Sequence, residues 1–438
     1  MTLPKKVEYR YFDREVETLS VEELHVLQLE RLQSALARAD QNECYHRKFQ
    51  EQGLSPTDLR YLEDLQRFPF TTKEDILTNY PTGLMACAPV DVVRYHMSSG
   101  TTGKPKVIPY TPQDIKTWAQ LMARTLAAVG ITAEDVVQNC YGYGLFTGGL
   151  GFHYGAEALG ATVIPSGAGS TERQIQTMLD MGTTVITCTP SYAIHLGETL
   201  QARGIQPQDL RVRIGHHGAE PWTEQIRQRI EALWGFAGKG GGAYDIYGLS
   251  EMCGPGVATE CQAQEGLHLW ADHFIPEIID PQSGEPLRPG ERGELVLTSI
   301  TREAMPLIRY RTGDITSILP EPCPCGRTHP RMERIAGRAD DMLIIRGVNV
   351  FPSQIEHVLM ERAELASAYL IVVDRRQAMV ELSVQVEPQV GTTLSEDFQA
   401  HLERVLQTKL GLRCTAEIKQ AGELPRFEGK AKRVQMIE

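Results

Sequence analysis

The chain has 438 residues, of which 42% are hydrophobic and 23% charged, which is the composition of an ordinary globular protein. Its formal net charge of −12 argues against a nucleic acid or an anionic membrane as partner, although local basic sites remain compatible with it. Residues 1–20 lack the apolar core of a signal peptide, and no apolar run is long enough to span a bilayer. Because the nine cysteines are mostly scattered, a secreted disulfide scaffold is not expected, and we predict a reduced, cytoplasmic protein.

Helical spacing begins near the N-terminus. Residues 20–42 open with Ser20 followed by glutamates, which is a helix N-cap pattern, and residues 70–81 resemble a second capped helix start. From Val92 onward, strand-like and helical runs alternate, which predicts a layered α/β domain with largely parallel strands. The predicted strands are residues 135–141, 161–165, 183–189 and 212–220, and the predicted helices are residues 111–130, 170–182, 191–204 and 223–235.

The second half of the chain is richer in strand patterns. Residues 290–300 and 307–319 read as strands, and a different unit begins near Gly337. The predicted elements of this unit are strands at 367–374 and 379–387, a helix at 394–411 and a strand at 414–420. We therefore predict an α/β fold with a large N-terminal domain of layered mixed sheets and helices, residues 1–337, and a small α+β C-terminal domain, residues 338–438.

The segment MSSGTTGKPKVIPYT, residues 97–111, has the composition of a phosphate-binding loop. Its glycines let backbone N–H groups approach an anion, and its hydroxyls and lysines add donors and charge. It does not match the P-loop pattern, since only two residues separate Gly100 from Gly103 and a proline follows Lys104. The alternative is an exposed flexible turn. The candidate residues are Ser98, Ser99, Gly100, Thr101, Thr102, Gly103, Lys104 and Lys106.

Three later segments could also contact a nucleotide. In YDIYGLSEM, Tyr247 could lie against a purine, Ser250 could bond a phosphate, and Glu251 could hold Mg²⁺. Asp314 follows a glycine turn in YRTGD, where a carboxylate could accept two ribose hydroxyls, and GRADD and LPRFEGKAKR supply Arg338 and Lys430. Each residue alone could be structural: Glu251 could be a helix-start carboxylate and Lys430 a solvated lysine. The occurrence of all these segments in this order along one chain is a far more specific signal for nucleotide binding than any single residue.

In this order the segments resemble the core motifs of the adenylate-forming superfamily, which includes acyl-CoA synthetases, luciferases and peptide-synthetase adenylation domains. The segments NCYGYGLFTGGLGFHYGAEALGATVIP, GAEPWT, PLIRYRTGD, CPCGRTHPR and MLIIRGVNVFPSQIE closely resemble the phenylacetate–CoA ligase family. The resemblance covers nearly the whole chain. It implies that the C-terminal domain is mobile and that the active site lies between the two domains.

The reaction implied by this resemblance has two steps. A carboxylate attacks the α-phosphate of ATP, which gives an acyl-adenylate and pyrophosphate, and the thiolate of coenzyme A then releases AMP. By the resemblance, Lys430 would bridge the carboxylate of the acid and the α-phosphate, and Glu251 would bind Mg²⁺. Arg338 would contact the ribose or the α-phosphate. Asp340 would be the hinge between the two domains, although an Asp-Asp pair can also be a simple turn. It assigns these further residues to the nucleotide: Gly218, Ala219, Glu220, Pro221, Asp245, Tyr247, Gly248, Ser250 and Asp314. Asn349 replaces a second arginine found in many superfamily members, which leaves one phosphate contact in doubt.

The resemblance also indicates an aryl pocket for the acid. Its residues would be Tyr141, Phe146, Gly148, Ile246 and Pro255, with the nearby Gly149 and Gly151 making room for a flat ring. His216 and His217 stand directly before GAEP, where the family more often has an apolar residue. They are either structural or they recognise a polar ring substituent, such as a hydroxyl or an amine.

A metal site is also indicated. Cys323 and Cys325 lie two residues apart between prolines, and Cys261 with His268 would complete a Cys₃His set of the structural zinc type. His329 or Cys253 could be the fourth ligand instead, or the cysteines could simply be buried and reduced.

We therefore predict an ATP-dependent aryl- or arylacetate–CoA ligase that uses ATP, Mg²⁺ and coenzyme A, carries a structural zinc and forms a homodimer, as is common in this family. One alternative is an adenylating enzyme that passes the acyl group to an amine or a carrier-protein thiol. The alternative of another class is a non-catalytic nucleotide-binding protein, which would be expected to have damaged motifs. The identity of the aromatic acid stays open.

Overall fold

The computed structural model describes residues 9–98, 105–339, 343–345, 348–376, 380–389, 391–426 and 433–437. Within them the α-helices are α1 (Arg14–Glu17), α2 (Val21–Ala39), α3 (Glu43–Glu51), α4 (Lys73–Thr78), α5 (Pro112–Ala128), α6 (Gly148–Leu159), α7 (Thr171–Met181), α8 (Pro190–Ala202), α9 (Glu224–Trp234), α10 (Pro352–Met360) and α11 (Glu396–Leu410). None of these helices is long and apolar enough to cross a bilayer.

The strands form five sheets. In chain order they are β1 (Arg94–Ser98), β2 (Lys106–Tyr110), β3 (Val136–Asn139), β4 (Thr162–Ile164), β5 (Val185–Cys188), β6 (Ile214–Gly218), β7 (Gly242–Leu249), β8 (Gly254–Glu260), β9 (Leu267–Leu269), β10 (Phe274–Ile279), β11 (Gly293–Ser299), β12 (Tyr310–Thr316), β13 (Ile318–Leu319), β14 (Arg331–Met332), β15 (Gly337–Arg338), β16 (Leu343–Ile345), β17 (Val348–Val350), β18 (Leu365–Asp374), β19 (Glu381–Pro388), β20 (Thr415–Ile418) and β21 (Val434–Ile437).

The largest sheet has nine strands in the order β13-β14-β9-β8-β7-β6-β5-β3-β4. The strands from β4 to β7 are parallel, as the alternating pattern predicts, and those from β8 to β13 are antiparallel. The direction changes at β7 because only the short turn Ser250–Met252 separates β7 from β8, and a parallel crossover needs a much longer connection. This turn carries Glu251.

The helices pack on this sheet through local sequence signals. α2 begins at a capping box between Ser20 and Glu23, and α5 begins at Thr111 with a proline in its first turn. α6 is a glycine-rich helix that the sequence patterns did not predict. It packs closely on α5, where Phe152 and Trp118 are fully buried in the core.

A four-stranded antiparallel sheet, β10-β11-β12-β15, lies beside the large one. Its register places Asp314 of β12 directly opposite Arg338 of β15. Two residues that are 24 positions apart in the chain therefore become neighbours.

The C-terminal unit has a sheet of its own in the order β20-β19-β18-β21, with an antiparallel centre and a parallel strand at each edge. α10, α11 and this sheet enclose a separate hydrophobic core that includes Ile355, Leu359, Ile371, Val384 and Leu402. The predicted fold class, a large N-terminal α/β unit and a separate small α+β unit, is confirmed. The strand β21 was not predicted, and the boundary near residue 337 stays a prediction.

Candidate active site

The hairpin of β1 and β2 presents the ends of the predicted phosphate loop. Ser98 closes β1 directly opposite Lys106, which opens β2. The hydroxyl of Ser98 is buried and finds no hydrogen-bond partner among the described residues. Residues 99–104 lie outside the described residues, and they carry the predicted Ser99, Gly100, Thr101, Thr102, Gly103 and Lys104.

Glu251 stands in the turn after β7 and is almost completely buried, with 4% of its surface exposed. The ammonium of Lys106 contacts its Oε1, and the hydroxyl of Tyr310 donates a hydrogen bond of 3.0 Å to the same oxygen. Burial, followed by the neighbouring Glu251 charge, raises the pKa of Tyr310 well above its usual value, so this hydroxyl remains a donor. The predicted phosphate-loop lysine and the predicted Mg²⁺ ligand are therefore in contact.

Asp314 forms a second carboxylate site close by. The hydroxyl of Tyr247 donates to its Oδ2 at 2.6 Å, and Nη1 of Arg338 donates to its Oδ1 at 2.9 Å. Burial, followed by the Asp314 charge, raises the pKa of Tyr247 well above its usual value. Three residues that the sequence assigned separately to a nucleotide thus meet at one place.

The two carboxylate sites are reciprocal. β7 supplies Tyr247 to Asp314 of β12, and β12 supplies Tyr310 to Glu251, which follows β7. The large sheet and the four-stranded sheet are thereby joined by two tyrosine–carboxylate hydrogen bonds. Tyr310 was not among the predicted site residues, although it lies within the quoted PLIRYRTGD segment.

The GAEP segment follows β6. Gly218 ends the strand, Ala219 and Pro221 are exposed, and Oε1 of Glu220 accepts a hydrogen bond of 2.7 Å from the backbone of Ser191 at the start of α8. These residues form an exposed edge beside the end of β7.

Asp245, which was predicted to contact the nucleotide, belongs to a buried charge network instead of an open surface. Its backbone N–H donates to Glu260 at 2.8 Å, and its carboxylate lies 3.7 Å from Nε of Arg334. Burial and then the charge of Glu260 raise the pKa of Asp245 well above its usual value. Arg227 and Arg334, the cations of this network, both lie over the ring of Trp222. The sequence contained no signal for this network, because its members come from five separate elements or loops.

Backbone strain is concentrated around the site. Ala219, Cys253 and Arg309 have φ angles of +72°, +143° and +47°, which side chains with a Cβ rarely adopt. Ala219 belongs to the GAEP edge, Cys253 follows the turn with Glu251, and Arg309 precedes Tyr310. Such conformations persist where the surrounding structure holds them, and they are typical of functional sites.

The predicted acyl-pocket residues only partly converge. The ring of Tyr141 stacks on Phe152 at 5.2 Å, and its hydroxyl donates to the backbone oxygen of Cys188 at 2.7 Å, which fixes the ring across the ends of β5 and β6. Gly148 faces this ring and Ile246 lies against Gly218. Phe146, in contrast, is 53% exposed.

The two glycines next to Gly148 serve packing more than pocket space. A Cβ at Gly149 would lie 2.4 Å from the backbone oxygen of Gly142, and one at Gly151 would lie 2.7 Å from both Pro255 and Trp118. α6 can therefore approach its neighbours only because these positions lack a side chain. At Gly148, in contrast, a Cβ would lie 3.4 Å from the ring of Tyr141, which is an ordinary contact distance.

The histidine pair is divided between the two faces of the sheet, because adjacent side chains on a strand point in opposite directions. His216 lies edge-on to Phe152, on the side of Tyr141, whereas His217 lies edge-on to Trp222 on the other side. The expectation that both border the acyl pocket is therefore corrected for His217. Burial lowers the pKa of His216 to about 3 and that of His217 to about 4, so both rings are neutral near pH 7.

The predicted catalytic Lys430 and the predicted hinge Asp340 lie outside the described residues. Arg433, three positions after Lys430, donates to the backbone oxygen of Ser367 at 3.1 Å and lies over the ring of Tyr369. The backbone N–H of Ala339, just before Asp340, donates a hydrogen bond of 2.6 Å to the backbone oxygen of Gly313.

The four predicted zinc ligands meet in one buried cluster. The ligand atoms of Cys261, His268, Cys323 and Cys325 all lie within 4.8 Å of one another. The Cys261 and Cys323 sulfurs are 3.6 Å apart, and Cys325 Sγ is 3.4 Å from His268 Nε2. Tetrahedral zinc with ordinary bond lengths requires about 3.8 Å between two sulfurs and about 3.5 Å between sulfur and nitrogen, so the donor set fits this ion.

The two alternative fourth ligands are not part of the cluster. His329 uses Nδ1 to accept from the backbone of Ala271 at 3.0 Å, and its Nε2 contacts the backbone oxygen of Val16 at 3.0 Å. Cys253 is buried elsewhere, where its backbone oxygen accepts from Tyr110. His268 is therefore the imidazole that the fold brings to the three cysteines.

Comparison with known proteins agrees with this geometry. The family described as AMP-binding enzyme matches residues 9–301, and the AMP-binding enzyme C-terminal domain matches residues 347–435. The chain is 48% identical to phenylacetate-coenzyme A ligase of Escherichia coli (strain K12) across 96% of both chains. It is 45% identical to the protein of the same name from Thermus thermophilus over 97% of this chain and 98% of that protein. The chain belongs to the phenylacetate–CoA ligase family of AMP-binding enzymes.

The arrangement of the two units in this phenylacetate–CoA ligase family member can be compared with two states of one solved relative. A crystal structure of 2-hydroxyisobutyryl-CoA ligase in the postadenylation state with 2-HIB-AMP matches with a TM-score of 0.91 at 30% identity, covering 99% of this chain and 94% of that one. The same ligase with 2-HIB-AMP and CoA in the thioesterification state matches with a TM-score of 0.73, at 30% identity and over 100% and 94% of the two chains. The described arrangement of the two units is thus closer to the postadenylation state.

Proposed function

We propose that this protein is an ATP-dependent aryl- or arylacetate–CoA ligase that forms an acyl-adenylate and then an acyl-CoA. The observation that carries this proposal is the reciprocal pair of carboxylate sites, Glu251 with Lys106 and Asp314 with Arg338, beside the GAEP edge. Each site combines a carboxylate, a cation and a tyrosine hydroxyl. The Glu251 site suits the phosphate chain of ATP, and the Asp314 site suits its ribose. The high identity to phenylacetate–CoA ligases supports the aromatic substrate class.

The chemistry of the first step requires positioning and charge neutralisation. The acid is already ionised near pH 7 and needs no general base, but it must approach a negatively charged phosphate. Lys106 would move from Glu251 to phosphate oxygens when ATP binds, and Glu251 would then be free to hold Mg²⁺. When bound, Mg²⁺ would neutralise charge on the phosphate oxygens. The buried hydroxyl of Ser98, which finds no partner among the described residues, fits a site that a phosphate oxygen completes.

The remaining nucleotide contacts follow from the same arrangement. Asp314 would accept the two ribose hydroxyls, with Tyr247 and Arg338 holding its carboxylate in place. Gly218 to Pro221 would form one side of the adenine site, and Ser250 would contact phosphate. Lys430 would bridge the acid and the α-phosphate, and rotation near Asp340 would withdraw it before coenzyme A enters; both assignments rest on the family resemblance.

We further propose that Cys261, His268, Cys323 and Cys325 bind a structural zinc ion. All four donors are buried, so a closed structural site is favoured over a catalytic one, which would keep an open position. The ion would join the segment after β8 to the loop before β14. A cytoplasmic location, a homodimer and the domain boundary at residues 337/338 remain predictions of the same proposal.

The experiment that tests the function separates its two steps. ATP–pyrophosphate exchange without coenzyme A should depend on an aromatic acid, and addition of coenzyme A should give the thioester and AMP. A panel of about twenty acids should include matched apolar and polar rings, because a buried polar group discriminates strongly between them. Exchange without thioester formation would favour an amine or carrier-protein acceptor. ATP binding without exchange for any acid would favour a non-catalytic protein.

A further inference from the structure

A cluster of polar side chains joins the N-terminal unit to the C-terminal unit, far from the carboxylate sites in sequence. Nη2 of Arg229 on α9 donates to Glu198 of α8 at 2.7 Å and to Gln389 after β19 at 3.1 Å. Nη1 of the same guanidinium donates to the backbone oxygen of Leu365 at 3.4 Å, and the hydroxyl of Ser367 donates to Glu198 at 3.4 Å. We name Glu198, Arg229, Ser367 and Gln389 the interdomain clamp.

Other contacts cross the interface beside the clamp: His357 Nδ1 lies 3.1 Å from Gln225 Oε1, and Met360 of the smaller unit packs against the hydrophobic cluster of the larger one. A cavity of about 570 Å³ lies beside the clamp, lined by Ile205 and Leu233 of the larger unit and by Met360 and Arg362 of the smaller one. The clamp residues Arg229 and Gln389 line this cavity too, so the clamp adds polar contacts to an interface that also has apolar ones.

The clamp is connected to the adenine edge through α8. The first turn of this helix contains Ser191, whose backbone holds Glu220 of the GAEP segment. Glu198 lies seven residues later, about 10 Å further along the helix axis. One rigid helix thus carries both the contact to the predicted nucleotide site and the contact to the C-terminal unit.

From these contacts we propose that Arg229 is a positioning residue for adenylation, which holds the C-terminal unit in the described arrangement and must release it before thioester formation. The inference rests on the proposed two-step function. It is motivated by the likeness of the described arrangement to a postadenylation state, and by the lower likeness of the same relative in its thioesterification state. A guanidinium suits this role because its planar fork holds Glu198, Gln389 and the Leu365 carbonyl at once, which the single ammonium of a lysine cannot do.

The test compares both half-reactions in Arg229→Gln and in the wild-type protein. The adenylation rate, measured by ATP–pyrophosphate exchange, should fall about fivefold, which is the upper range for a partly exposed ion pair. The KM for the acid should stay within about twofold, since the acid pocket is not altered. Thioester formation from isolated acyl-adenylate and coenzyme A should be unchanged or faster. Arg229→Lys should give an intermediate exchange rate.

Two further variants make the test specific. The charge-exchanged double variant Glu198→Arg/Arg229→Glu should recover part of the exchange activity that each single variant loses. The matched control is Arg203→Gln, which removes an arginine at the end of α8 whose partner is Glu172 of the same unit. It should leave both half-reactions unchanged.

The positioning role of Arg229 can be overturned in several ways. Equal losses in both half-reactions, no loss at all, or an identical effect of Arg203→Gln would overturn it. If the wild-type protein shows no pyrophosphate exchange with any acid, the proposed function fails first. A fluorescence energy-transfer pair, with one dye on each unit, then tests the clamp separately, and an unchanged distance distribution in Arg229→Gln would also overturn it.

Discussion

The hydroxyl of Tyr310 donates a hydrogen bond of 3.0 Å to the same carboxylate oxygen of Glu251 that Lys106 contacts. Two donors on one oxygen orient the carboxylate before any ligand binds. Lys106 belongs to the β1–β2 hairpin and Tyr310 to the four-stranded sheet, whereas Glu251 follows β7 of the large sheet. This orientation therefore depends on how all three sheets pack together. These contacts predict how substitutions of Glu251 and of Tyr310 should affect catalysis.

Glu251→Gln should lower the rate of acyl-adenylate formation by about 10²-fold or more, because a neutral amide holds Mg²⁺ beside the phosphates less well than a carboxylate does. Tyr310→Phe keeps the carboxylate and removes only one hydrogen bond to it, so we expect about a tenfold loss. Pyrophosphate exchange at several Mg²⁺ concentrations measures both effects. Tyr95→Phe, which changes an exposed tyrosine, is the control and should be silent. Full activity of Glu251→Gln at ordinary Mg²⁺ concentrations would contradict the assignment.

The Asp314 site predicts a change in ATP affinity. Asp314→Asn should raise the KM for ATP by about tenfold or more. A carboxylate accepts stronger hydrogen bonds from the two ribose hydroxyls than a neutral amide does. Tyr247→Phe should have a smaller effect, because Arg338 still holds the carboxylate. Steady-state kinetics with ATP as the varied substrate provide the measurement. Asp280→Asn, at a carboxylate that caps the turn after β10 by accepting from the backbone of Gln282 and Ser283, should not alter this KM. An effect confined to the KM for the acid would argue against the ribose assignment.

Metal analysis of protein prepared without a histidine tag should find about one zinc per chain. Cys325→Ser should reduce this content to near zero and lower the thermal midpoint, because the bound ion stabilises only the folded chain. Cys414→Ser removes a buried cysteine outside the cluster and should retain the metal. Zinc-free wild-type protein with an unchanged midpoint would show that the cluster is only a group of buried thiols.

His216 predicts a pH dependence of stability. Its folded pKa of about 3 lies below its ordinary value of 6.5, so the unfolded chain binds the proton first. The contribution of His216 is therefore complete above about pH 6.5 and is lost as the pH falls, by about 2 kcal/mol at pH 5. Denaturant unfolding of the wild-type protein at pH 7 and pH 5 includes this loss together with those of His96, His217, His273 and His329, whose pKa values are also lowered by burial.

The variant His216→Gln isolates the contribution of this one ring. An amide can still bond to Thr259, which lies 3.1 Å from Nε2 of His216, but it does not titrate. The difference in unfolding free energy between pH 7 and pH 5 should shrink by about 2 kcal/mol in this variant. An unchanged difference would mean that His216 is accessible to protons in the folded protein. Activity on matched acids with and without a ring hydroxyl would show whether this ring also senses the substrate.

Local sequence signals predicted most single elements correctly. The capping pattern at Ser20 begins α2, the capped helix start predicted within residues 70–81 is Thr72 before α4, and β3, β5 and β6 lie within the predicted strand segments. α6 was missed because its glycines have low helix propensity and are retained for close packing, which only the tertiary structure reveals. The set Cys261, His268, Cys323 and Cys325 was predicted from residue types, with His329 or Cys253 as alternative ligands. Only the three-dimensional positions show that His268 is the imidazole beside the three cysteines.

By itself, the amino-acid sequence determined the residue types of each candidate site, the order of the elements and the family resemblance, because these depend on neighbouring residues and their spacing. The tertiary structure decided which residues meet: Tyr310 with Glu251, Tyr247 with Asp314, and Arg229 with the C-terminal unit. It also placed His216 and His217 on opposite faces of one sheet. These contacts join residues far apart in the chain, and their formation depends on how two sheets and two units pack, which no short stretch of sequence specifies.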